Sequence, residues 1–464
     1  MLGLLHSRLG RYREVNALNV AKFGGTSVAD YAAMSNSASV IKGNSDTRLV
    51  VISACSGVTN LLVELANGVA DAKRQQEVLA KIADIHFSIL DQLPANAAVN
   101  QAVNEILDEV ATFAAAAATS TSDQLTDSLV ACGELMSTHI FTHLLNAQGI
   151  DAERVDVRQV LKTDNVFGKA TPDLIETAFH AQGILRPLCE KKIAVTQGFI
   201  GADNSGNTTT LGRGGSDYSA ALLAEAVQAT SLEIWTDVPG IYSTDPRVAP
   251  AAKPIDEISF SEASEMANFG AKILHPSTLV PAMRHDIPVF VGSSKTPEQG
   301  GTWIRHTAKQ SPLFRALALR CNQTMVTLTS LNMFHAYGFL AEVFNILAKH
   351  KVSVDLITTS EVSVSLTLDQ TNTRGGAPTL PEDAEKELAQ LCKVTIEQDM
   401  CLVALIGNHM GESRGAAAKI FGSLEEYNLR MICYGASSHN LCFLTSTSES
   451  KDVVRALHKE LFEA

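Results

Sequence analysis

Positively charged side chains stand beside glycines at two places in the sequence, a pattern typical of sites that bind anions. In the stretch AKFGGTSV, Lys22 ends an apolar run and is followed by Gly24 and Gly25. Glycine lets a backbone approach a ligand closely, and an ammonium group suits the oxygens of a phosphoryl group in transfer. We predict that Thr26 and Ser27 cap a following helix. A glycine turn beside a solvated lysine explains the stretch equally well.

The second place is TTTLGRGGSD, residues 208–217, which precedes an expected helix over 216–228. We predict that its threonine hydroxyls, glycine amides and helix start face an anionic ligand. Arg213 can bind a carboxylate through two parallel hydrogen bonds, whereas Asp217 can orient a lysine or lie near a metal-bound phosphate. In the structural alternative, Ser216 is the N-cap and Asp217 interacts with the helix dipole. That alternative leaves Arg213 and the threonines unexplained.

A single carboxylate interrupts an apolar helical stripe in ACGELMSTHIF. Glu134 shares one helix face with Val130, Ser137, Phe141 and Leu145. A carboxylate in such surroundings needs a partner. A ligand amine and a buried arginine or lysine both meet that need.

A polar loop follows the apolar run in EIWTDVPGIYSTDPR. Thr236, Asp237, Tyr242 and Arg247 combine the aromatic, acidic and basic groups that suit a nucleotide. The alternative is an ordinary polar turn. Further on, Lys272 in FGAKILHP can reach a phosphate in the company of these residues.

Composition and missing motifs exclude several classes of protein. The sequence contains no GxxxxGK[ST] P-loop, no GxGxxG after a strand, no HRD or DFG set and no HExxH. The net charge of -13 disfavours nucleic acid as the main partner. The eight cysteines form no CxxC pair, and we expect reduced thiols in a cytoplasmic protein. No apolar run is long enough to span a membrane.

Alternating elements position these residues in the first two-thirds of the chain. Near-continuous apolar strands separated by helices indicate a mostly parallel sheet covered on both faces. Ligands bind such sheets beyond the carboxyl ends of the strands, where Lys22 is expected. The expected strands are Asn19–Phe23, Arg48–Ser53, Ile193–Gln197, Leu232–Thr236 and Ile287–Val291, with helices broadly over 57–118 and 123–146.

The last third of the chain repeats itself. Residues 324–368 align without a gap with residues 401–445 at an offset of 77 residues, which matches Gly338 with Gly415. Each copy has the order strand, glycine-led helix, strand, turn, strand, so we predict a duplicated α+β module. Such a pair attached to an α/β domain indicates sensing or dimerisation; a purely structural repeat is the alternative.

Together these motifs resemble those of the aspartate kinases, which belong to the amino acid kinase family and carry tandem ACT domains. The resemblance covers nearly the whole chain from about residue 19 and rests on KFGGTS, SACSGVTN, GELMS, TTTLGRGGSD, WTDVPGIYSTDPR and FGAKILHP in this order. The C-terminal stretches NMFHAYGFLAEVF, SVDLITTSEVSVSLTLD and MICYGASSHNLCFL are most similar to the lysine-sensitive members.

The resemblance implies a fold and a division into domains. The fold class is α/β, with a three-layer αβα amino acid kinase-like domain and a mostly parallel sheet, followed by two α+β, ferredoxin-like ACT domains. We expect a disordered leader at 1–18, the catalytic domain at 19–310, and ACT domains at 311–395 and 396–464. The last segment of the second ACT domain is expected to pack back on the first.

The resemblance also implies an activity, transfer of the ATP γ-phosphate to the side-chain carboxylate of L-aspartate. This reaction gives 4-phospho-L-aspartate on the route to lysine, threonine and methionine. Mg²⁺ is the expected cofactor, held mostly by phosphates and water, and no protein metal ligand is expected. The implied catalytic residues are Lys22, Asp217 and Lys272; those for aspartate are Thr59, Glu134, Arg213 and Ser216; those for the nucleotide are Lys22, Phe23, Gly24, Gly25, Thr236, Asp237, Tyr242, Arg247 and Lys272.

Within this set, Arg213 would clamp the α-carboxylate of aspartate and Glu134 its ammonium, while Asp217 organises the lysines. L-Lysine is the implied allosteric inhibitor, bound where the ACT modules of two chains meet in a homodimer or tetramer. The matching residues are Met333, His335, Gly338, Phe339, Leu340, Ser353, Val354, Asp355, Thr359, Ser360 and Glu361. Asp355 and Glu361 would supply the negative charge for the lysine amine.

Two rival interpretations remain at this point. Another amino acid kinase, acting on glutamate, carbamate or uridylate, would lack the duplicated module. An inactive amino-acid sensor would not need Lys22, Asp217 and Lys272.

Overall fold

The computed structural model of the chain describes residues 17–212, 214–270, 274, 276–333, 337–369 and 378–463. The described residues form two compact units, one drawn from residues 17–240 and 276–306 and the other from residues 241–274 and 307–463. Residues 241–270 therefore group with the C-terminal third, whereas the sequence predicts them to lie in the catalytic domain. The domain boundaries taken from the sequence stay a prediction.

Strands and helices alternate through most of the described chain. The strands are β1 (Asn19–Phe23), β2 (Thr47–Ile52), β3 (Ala152–Arg154), β4 (Ile193–Gln197), β5 (Ile200–Ala202), β6 (Thr208–Thr210), β7 (Ser231–Thr236), β8 (Ile241–Tyr242), β9 (Pro254–Ile255), β10 (Glu257–Ser259), β11 (Val289–Ser293), β12 (Gly301–Arg305), β13 (Phe314–Thr329), β14 (Val354–Thr359), β15 (Ser363–Leu368), β16 (Lys393–Gly407), β17 (Ile432–Tyr434) and β18 (Asn440–Ser446). The helices are α1 (Tyr31–Gly43), α2 (Val58–Ala66), α3 (Ala72–Leu90), α4 (Ala97–Thr119), α5 (Asp123–Ala147), α6 (Leu174–His180), α7 (Arg186–Cys189), α8 (Gly215–Ala226), α9 (Phe260–Asn268), α10 (Pro276–Arg284), α11 (Phe339–Lys349), α12 (Glu382–Leu388), α13 (Ala416–Gly422) and α14 (Ser450–Phe462).

The first unit is built on a mostly parallel sheet, as predicted. Its strands lie in the order β12-β11-β7-β1-β2-β4-β3, and β12 pairs antiparallel with β11 while the other neighbours are parallel. Two predicted strands, Asn19–Phe23 and Ile193–Gln197, have the observed bounds. The strand predicted from Ile287 begins instead at Val289, because Pro288 has no N–H to donate to a neighbouring strand.

Helices cover both faces of this sheet. Side chains of consecutive strand residues point to opposite faces. Phe23 packs against Phe141 of α5, with ring centroids 6.2 Å apart, whereas the neighbouring Lys22 reaches Asp217 of α8 on the other face. The αβα layering of the catalytic domain is therefore confirmed.

The second unit contains a six-stranded antiparallel sheet in the order β14-β15-β13-β16-β18-β17. Its centre is the pairing of two long strands, β13 and β16. The first half of β13 pairs with the second half of β16, as in Leu317 with Leu405, and the second half of β13 pairs with the first half of β16, as in Val326 with Ile396. The two repeat copies therefore share one sheet.

Two hydrophobic cores lie on this sheet, one for each repeat copy. The first-module core contains Val326, Leu328, Val343, Leu347, Val364 and Leu366. The second-module core contains Val248, Leu317, Val403, Leu405, Leu441, Phe443, Val453, Val454 and Leu457. The last helix, α14, thus belongs to the second-module core.

The duplication predicted from the sequence appears at matched positions. Gly338 and Gly415 are the N-caps of α11 and α13, with φ of 87° and 82°. This left-handed conformation is one that glycine adopts at little cost. The repeat therefore preserves a backbone requirement as well as apolar positions.

The expectation that all cysteines are reduced is wrong for one pair. Cys321 of β13 and Cys401 of β16 form a disulfide, whose partners lie 80 residues apart in sequence. The sequence did not indicate this pair, because only the pairing of the two strands brings the residues together. Among the described residues, no helix has the length and apolar character needed to cross a membrane.

Candidate active site

A lysine–aspartate ion pair lies at the carboxyl end of the central strand of the first unit. Lys22 Nζ is 2.6 Å from Asp217 Oδ1, and both side chains are largely buried. Lys22 is the fourth residue of β1, and Asp217 lies in the first turn of α8. An acidic first-turn residue is also stabilised by the helix dipole. The structure thus joins two candidate residues that are far apart in sequence.

Close backbone contacts fix the start of α8. A Cβ on Gly215 would lie 2.6 Å from the Phe199 ring, and a Cβ on Gly198 would lie 2.8 Å from Ser216 Cβ. The N-cap is Gly214, with φ of 73° and no side-chain cap. The structural alternative that makes Ser216 the N-cap is therefore wrong, and its hydroxyl is left for another role.

The prediction that the threonine hydroxyls of TTTLGRGGSD serve a ligand is wrong. Residues Thr208–Thr210 form β6, and each hydroxyl has a partner inside the protein. Thr208 accepts from Arg158 at 3.1 Å, and Thr209 pairs with Thr163 at 2.7 Å. These threonines hold the strand that leads into the glycine loop.

Asp127 of α5, which the sequence analysis missed, holds the third threonine. Its carboxylate accepts from the Thr210 hydroxyl at 2.7 Å, from the Thr210 N–H at 2.9 Å and from the Gly168 N–H at 2.9 Å. The side chain is buried, and this burial raises its pKa while the hydrogen bonds lower it. No local sequence signal distinguishes Asp127 from other acidic residues near a helix start.

Glu134 is the candidate residue with the clearest sign of a missing partner. It is only 3% exposed, and its Oε2 atom has no hydrogen-bond partner among the described residues. Burial raises the pKa of this carboxyl to about 8, although the Ala54 amide and the charge of Lys22 lower it. An unpaired buried carboxyl oxygen is costly, so the site is suited to a cationic ligand group.

A glycine places Glu134 close to the strand ends. A Cβ on Gly133 would lie 3.0 Å from Ala54 Cβ and 3.1 Å from Leu62 Cδ1. Only a residue without a side chain lets α5 approach α2 and the loop after β2 so closely. Thr59, another candidate for the aspartate pocket, lies half-buried in the first turn of α2.

The glycine turn after β1 differs in part from its prediction. The 3₁₀ helix Gly25–Val28 has Gly24 as its N-cap without a side-chain bond, and α1 is capped by Asp30. The prediction that Thr26 and Ser27 cap a helix is therefore wrong. The buried Ser27 hydroxyl lies 2.6 Å from Ser294 Oγ instead.

The glycine pair nevertheless lies against the ion pair and the neighbouring loop. A Cβ on Gly24 would lie 3.4 Å from Lys22 Nζ, and one on Gly25 would lie 3.0 Å from the Ala54 carbonyl oxygen. The Phe23 side chain is fully buried and stacks on Trp235. It cannot contact a nucleotide, so only the Phe23 backbone remains available for that role.

The remaining candidates for the nucleotide lie in both units. Thr236 ends β7 in the first unit and donates to Asp237 at 3.2 Å. In the second unit, Tyr242 ends β8, and Arg247 is 88% exposed and pairs with Asp245 at 2.7 Å. Arg213 and Lys272 lie outside the described residues.

Most candidates for lysine binding lie around α11 and β14 in the second unit. Gly338, Phe339 and Leu340 form the start of α11, and Asp355 forms an ion pair with Arg320 of β13. Glu361 is exposed in the turn between β14 and β15. The other described candidates are Met333, Ser353, Val354, Thr359 and Ser360, and His335 lies outside the described residues. Among the described residues no cluster of three or more His, Cys, Asp or Glu side chains could hold a metal ion.

The fold defines a class, an α/β domain with a mostly parallel sheet followed by two repeated α+β modules. The sequence profile of the amino acid kinase family matches residues 17–293. The profile of the ACT domain matches residues 326–379 and 403–461.

Curated relatives narrow the class further. Lysine-sensitive aspartokinase 3 of Escherichia coli (strain K12) is 55% identical over 445 residues, which cover 96% of this chain and 99% of that protein. Aspartokinase 1, chloroplastic, of Arabidopsis thaliana is 32% identical over 464 residues, covering 96% of this chain and 80% of that protein. The chain therefore belongs to the aspartokinases of the amino acid kinase family, and it is a phosphotransferase.

Solved structures agree with this assignment. E. coli aspartokinase III in complex with aspartate and ADP (R-state) matches with a TM-score of 0.88 and 54% identity, covering 96% of this chain and all of that chain. The same enzyme in complex with lysine and aspartate (T-state) matches with a TM-score of 0.82 and 54% identity, over 96% and 99% of the two chains.

Proposed function

We propose that this chain transfers the γ-phosphate of ATP to the side-chain carboxylate of L-aspartate and is inhibited by L-lysine. The relative solved with aspartate and ADP, and its complex with lysine and aspartate, support the choice of ligands. The products are 4-phospho-L-aspartate and ADP, and the reaction is the first step toward lysine, threonine and methionine.

The observation that carries the proposal is the unpartnered carboxyl oxygen of Glu134. An amino-acid substrate brings an ammonium group, which is the partner that a buried carboxylate lacks. A carbamate or uridylate substrate has no such group. With Thr59 and Ser216 beside the ligand and Arg213 on its α-carboxylate, Glu134 would select an α-amino acid.

Lys22 would stabilise charge on the phosphoryl group during transfer. Phosphoryl transfer depends mainly on positioning and electrostatic stabilisation. The ion pair with Asp217 fixes the ammonium group at the strand end, so it needs no rearrangement when charge develops. We propose that Lys272 assists it, as the family resemblance implies.

The nucleotide would be held by Gly24, Gly25, the Phe23 backbone, Thr236, Asp237, Tyr242 and Arg247, together with the two lysines. Mg²⁺ would neutralise phosphate charge in this reaction, bound mostly by phosphate oxygens and water. In this arrangement Lys22 and the backbone amides of the glycine turn after β1 would face the phosphates.

Regulation is proposed to operate through the second unit. L-Lysine would bind the first-module residues around α11 and β14 where two chains meet. This proposal requires a homo-oligomer, either a dimer or a tetramer, and we propose that the protein acts in the cytoplasm. Lysine inhibits only if it binds an inactive conformation more tightly than the active one.

A hydroxylamine-trapping assay with ATP, Mg²⁺ and L-aspartate tests the proposal. We expect aspartyl hydroxamate from the wild type, and we expect less of it when L-lysine is added. Lys22→Met should lower kcat by about 100-fold or more, the usual effect of removing a group that stabilises developing charge. Lys81→Met, at an exposed lysine of α3, is the matched control and should keep full activity. Absence of hydroxamate from the folded wild type would refute the proposal.

A further inference from the structure

The segment after β8 is a closed loop that carries a candidate nucleotide residue at its tip. The Ser243 N–H donates to the Lys253 carbonyl at 2.8 Å, and the Lys253 N–H donates to Ser243 Oγ at 2.9 Å. Between them, Arg247 is exposed and its guanidinium pairs with Asp245. The position of Arg247 therefore depends on how this loop, residues 242–253 and here called the tip loop, is held.

The residue next to Arg247 is part of the second-module core. Val248 is 8% exposed and packs with Leu317, Val403 and Leu457. Its carbonyl accepts from Arg455 Nε of α14 at 2.9 Å. One side of the tip loop is thus built into the C-terminal regulatory module.

A buried histidine of α14 holds the base of the tip loop. His458 Nε2 lies 2.9 Å from Ser243 Oγ, and His458 Nδ1 lies 2.7 Å from Glu463 Oε1. Since the carboxylate can only accept, Nδ1 donates to Glu463, and Nε2 forms the bond to the Ser243 hydroxyl. Lys253 Nζ also donates to the Phe462 carbonyl. Two bonds therefore connect the last turns of α14 to the two ends of the loop.

This serine–histidine–carboxylate chain has the order of a nucleophilic triad, but burial excludes that role. The His458 side chain is fully buried and Ser243 is 3% exposed, so no substrate reaches the hydroxyl. The Ser243 oxygen also accepts from the Lys253 N–H. These hydrogen bonds therefore have a structural role, because they hold the backbone of the tip loop against α14.

We propose that His458 is a positioning residue for nucleotide binding, acting through Ser243 on the tip loop that bears Tyr242 and Arg247. This inference rests on the proposed function, in which those two residues contact the nucleotide. It gives α14 of the second module an indirect part in ATP affinity, through the tip loop, and none in aspartate recognition.

The test compares variants of the bond chain with a matched variant on the same helix. His458→Leu removes the hydrogen bonds of the imidazole to Ser243 and to Glu463. His458→Gln keeps an amide that can bond to Ser243, and Glu463→Gln weakens the bond that orients the ring. Glu460→Gln makes the same chemical change at a half-exposed residue of α14 that pairs with Lys419. KM for ATP, KM for aspartate and kcat are measured for each full-length protein, with thermal unfolding as a check of folding.

We expect KM for ATP to rise by about threefold to tenfold in His458→Leu, the effect of losing one or two hydrogen bonds on an equilibrium constant. Glu463→Gln should show a smaller rise, and His458→Gln should restore part of the loss. KM for aspartate should stay within about twofold of wild type in all of them, and Glu460→Gln should match wild type throughout.

Two results would overturn the inference. One is an unchanged KM for ATP in folded His458→Leu and Glu463→Gln; the other is an equal rise of both KM values, which indicates a general structural defect. If His458→Leu does not fold, the comparison of Glu463→Gln with Glu460→Gln decides. The proposed function fails separately, when the wild type itself forms no aspartyl phosphate.

Discussion

Single side chains show which parts of the site follow from sequence motifs. Lys22 and Asp217 lie in motifs that match a family, and the structure places their charged atoms in contact. Helical periodicity predicts a stripe that contains Glu134, and this whole stripe is buried. The element that carries each residue could be predicted because the residue lies within a short recognisable pattern, and the role of each residue in the site stays a prediction.

Hydrogen-bond partners that come from distant elements could not be predicted from the local sequence. The threonines of β6 looked available for a ligand, but their hydroxyls bond to Arg158, Thr163 and Asp127. None of these partners lies near residues 208–210 in sequence. Only the tertiary fold shows that the hydroxyls are satisfied, so composition alone overestimates the donors of such a loop.

The raised pKa of Glu134 predicts a proton linked to substrate binding. In the free enzyme the carboxyl is mostly protonated below pH 8, and an incoming ammonium favours its ionised form. Aspartate binding should therefore release a proton below pH 8 and release almost none well above it. As pH falls below this pKa, aspartate affinity should fall.

Calorimetry in two buffers of different ionisation enthalpy measures this release, which should be about one proton per site at pH 7. Glu134→Gln should remove the release and raise KM for aspartate by about tenfold or more, since a hydrogen bond to a charged group contributes about 1.5–3 kcal/mol. No proton release by the wild type at pH 7 would contradict the assignment.

The raised pKa of Glu134 should also make the free energy of unfolding of the free enzyme depend on pH. Because the folded pKa of Glu134 is raised from 4.5 to about 8, the stability that this group contributes is fully present below pH 4.5. It is lost as pH rises through 8. Bound aspartate should offset that loss.

At the level of elements, the repeat and the strand patterns predict which elements form better than they predict where those elements begin and end. The alignment of the two copies begins at Thr324 and Cys401. However, β13 begins at Phe314, ten residues before the first aligned residue of its copy, and β16 begins at Lys393, also before the aligned stretch. Pairing of the two long strands joins the copies into one sheet. A repeat in sequence reports what each copy keeps and carries no information about how the copies pair.

A glycine substitution tests the backbone requirement that the repeat preserves. Gly415→Ala places a side chain at a φ of 82° and should lower the free energy of unfolding by about 1 kcal/mol or more. Gly411→Ala lies in the same module, with open space around it and no positive φ, and should change it by less than about 0.5 kcal/mol. Chemical denaturation of both full-length variants measures the difference. Equal effects would mean that the N-cap conformation is not what the glycine provides.

At the scale of the whole molecule, the regulatory proposal depends on how two acidic side chains differ. The sequence assigns Asp355 and Glu361 the same task, attraction of the lysine amine. The structure separates them, because Asp355 already has a cationic partner in Arg320, while Glu361 is exposed in a turn. A ligand amine must compete with Arg320 for the first carboxylate and meets no such competition at the second.

We therefore predict that Glu361→Ala weakens lysine inhibition more than Asp355→Ala does. The lysine concentration for half-maximal inhibition should rise by about tenfold or more in Glu361→Ala, since a charged hydrogen bond is lost, while activity without lysine stays unchanged. Glu382→Ala, at a carboxylate of α12 that is 90% exposed, is the control and should be inhibited like wild type. Kinase assays over a range of lysine concentrations measure the three curves. Unaltered inhibition of Glu361→Ala would place the lysine amine elsewhere, because the exposed carboxylate would then make no contact that distinguishes the inhibited conformation.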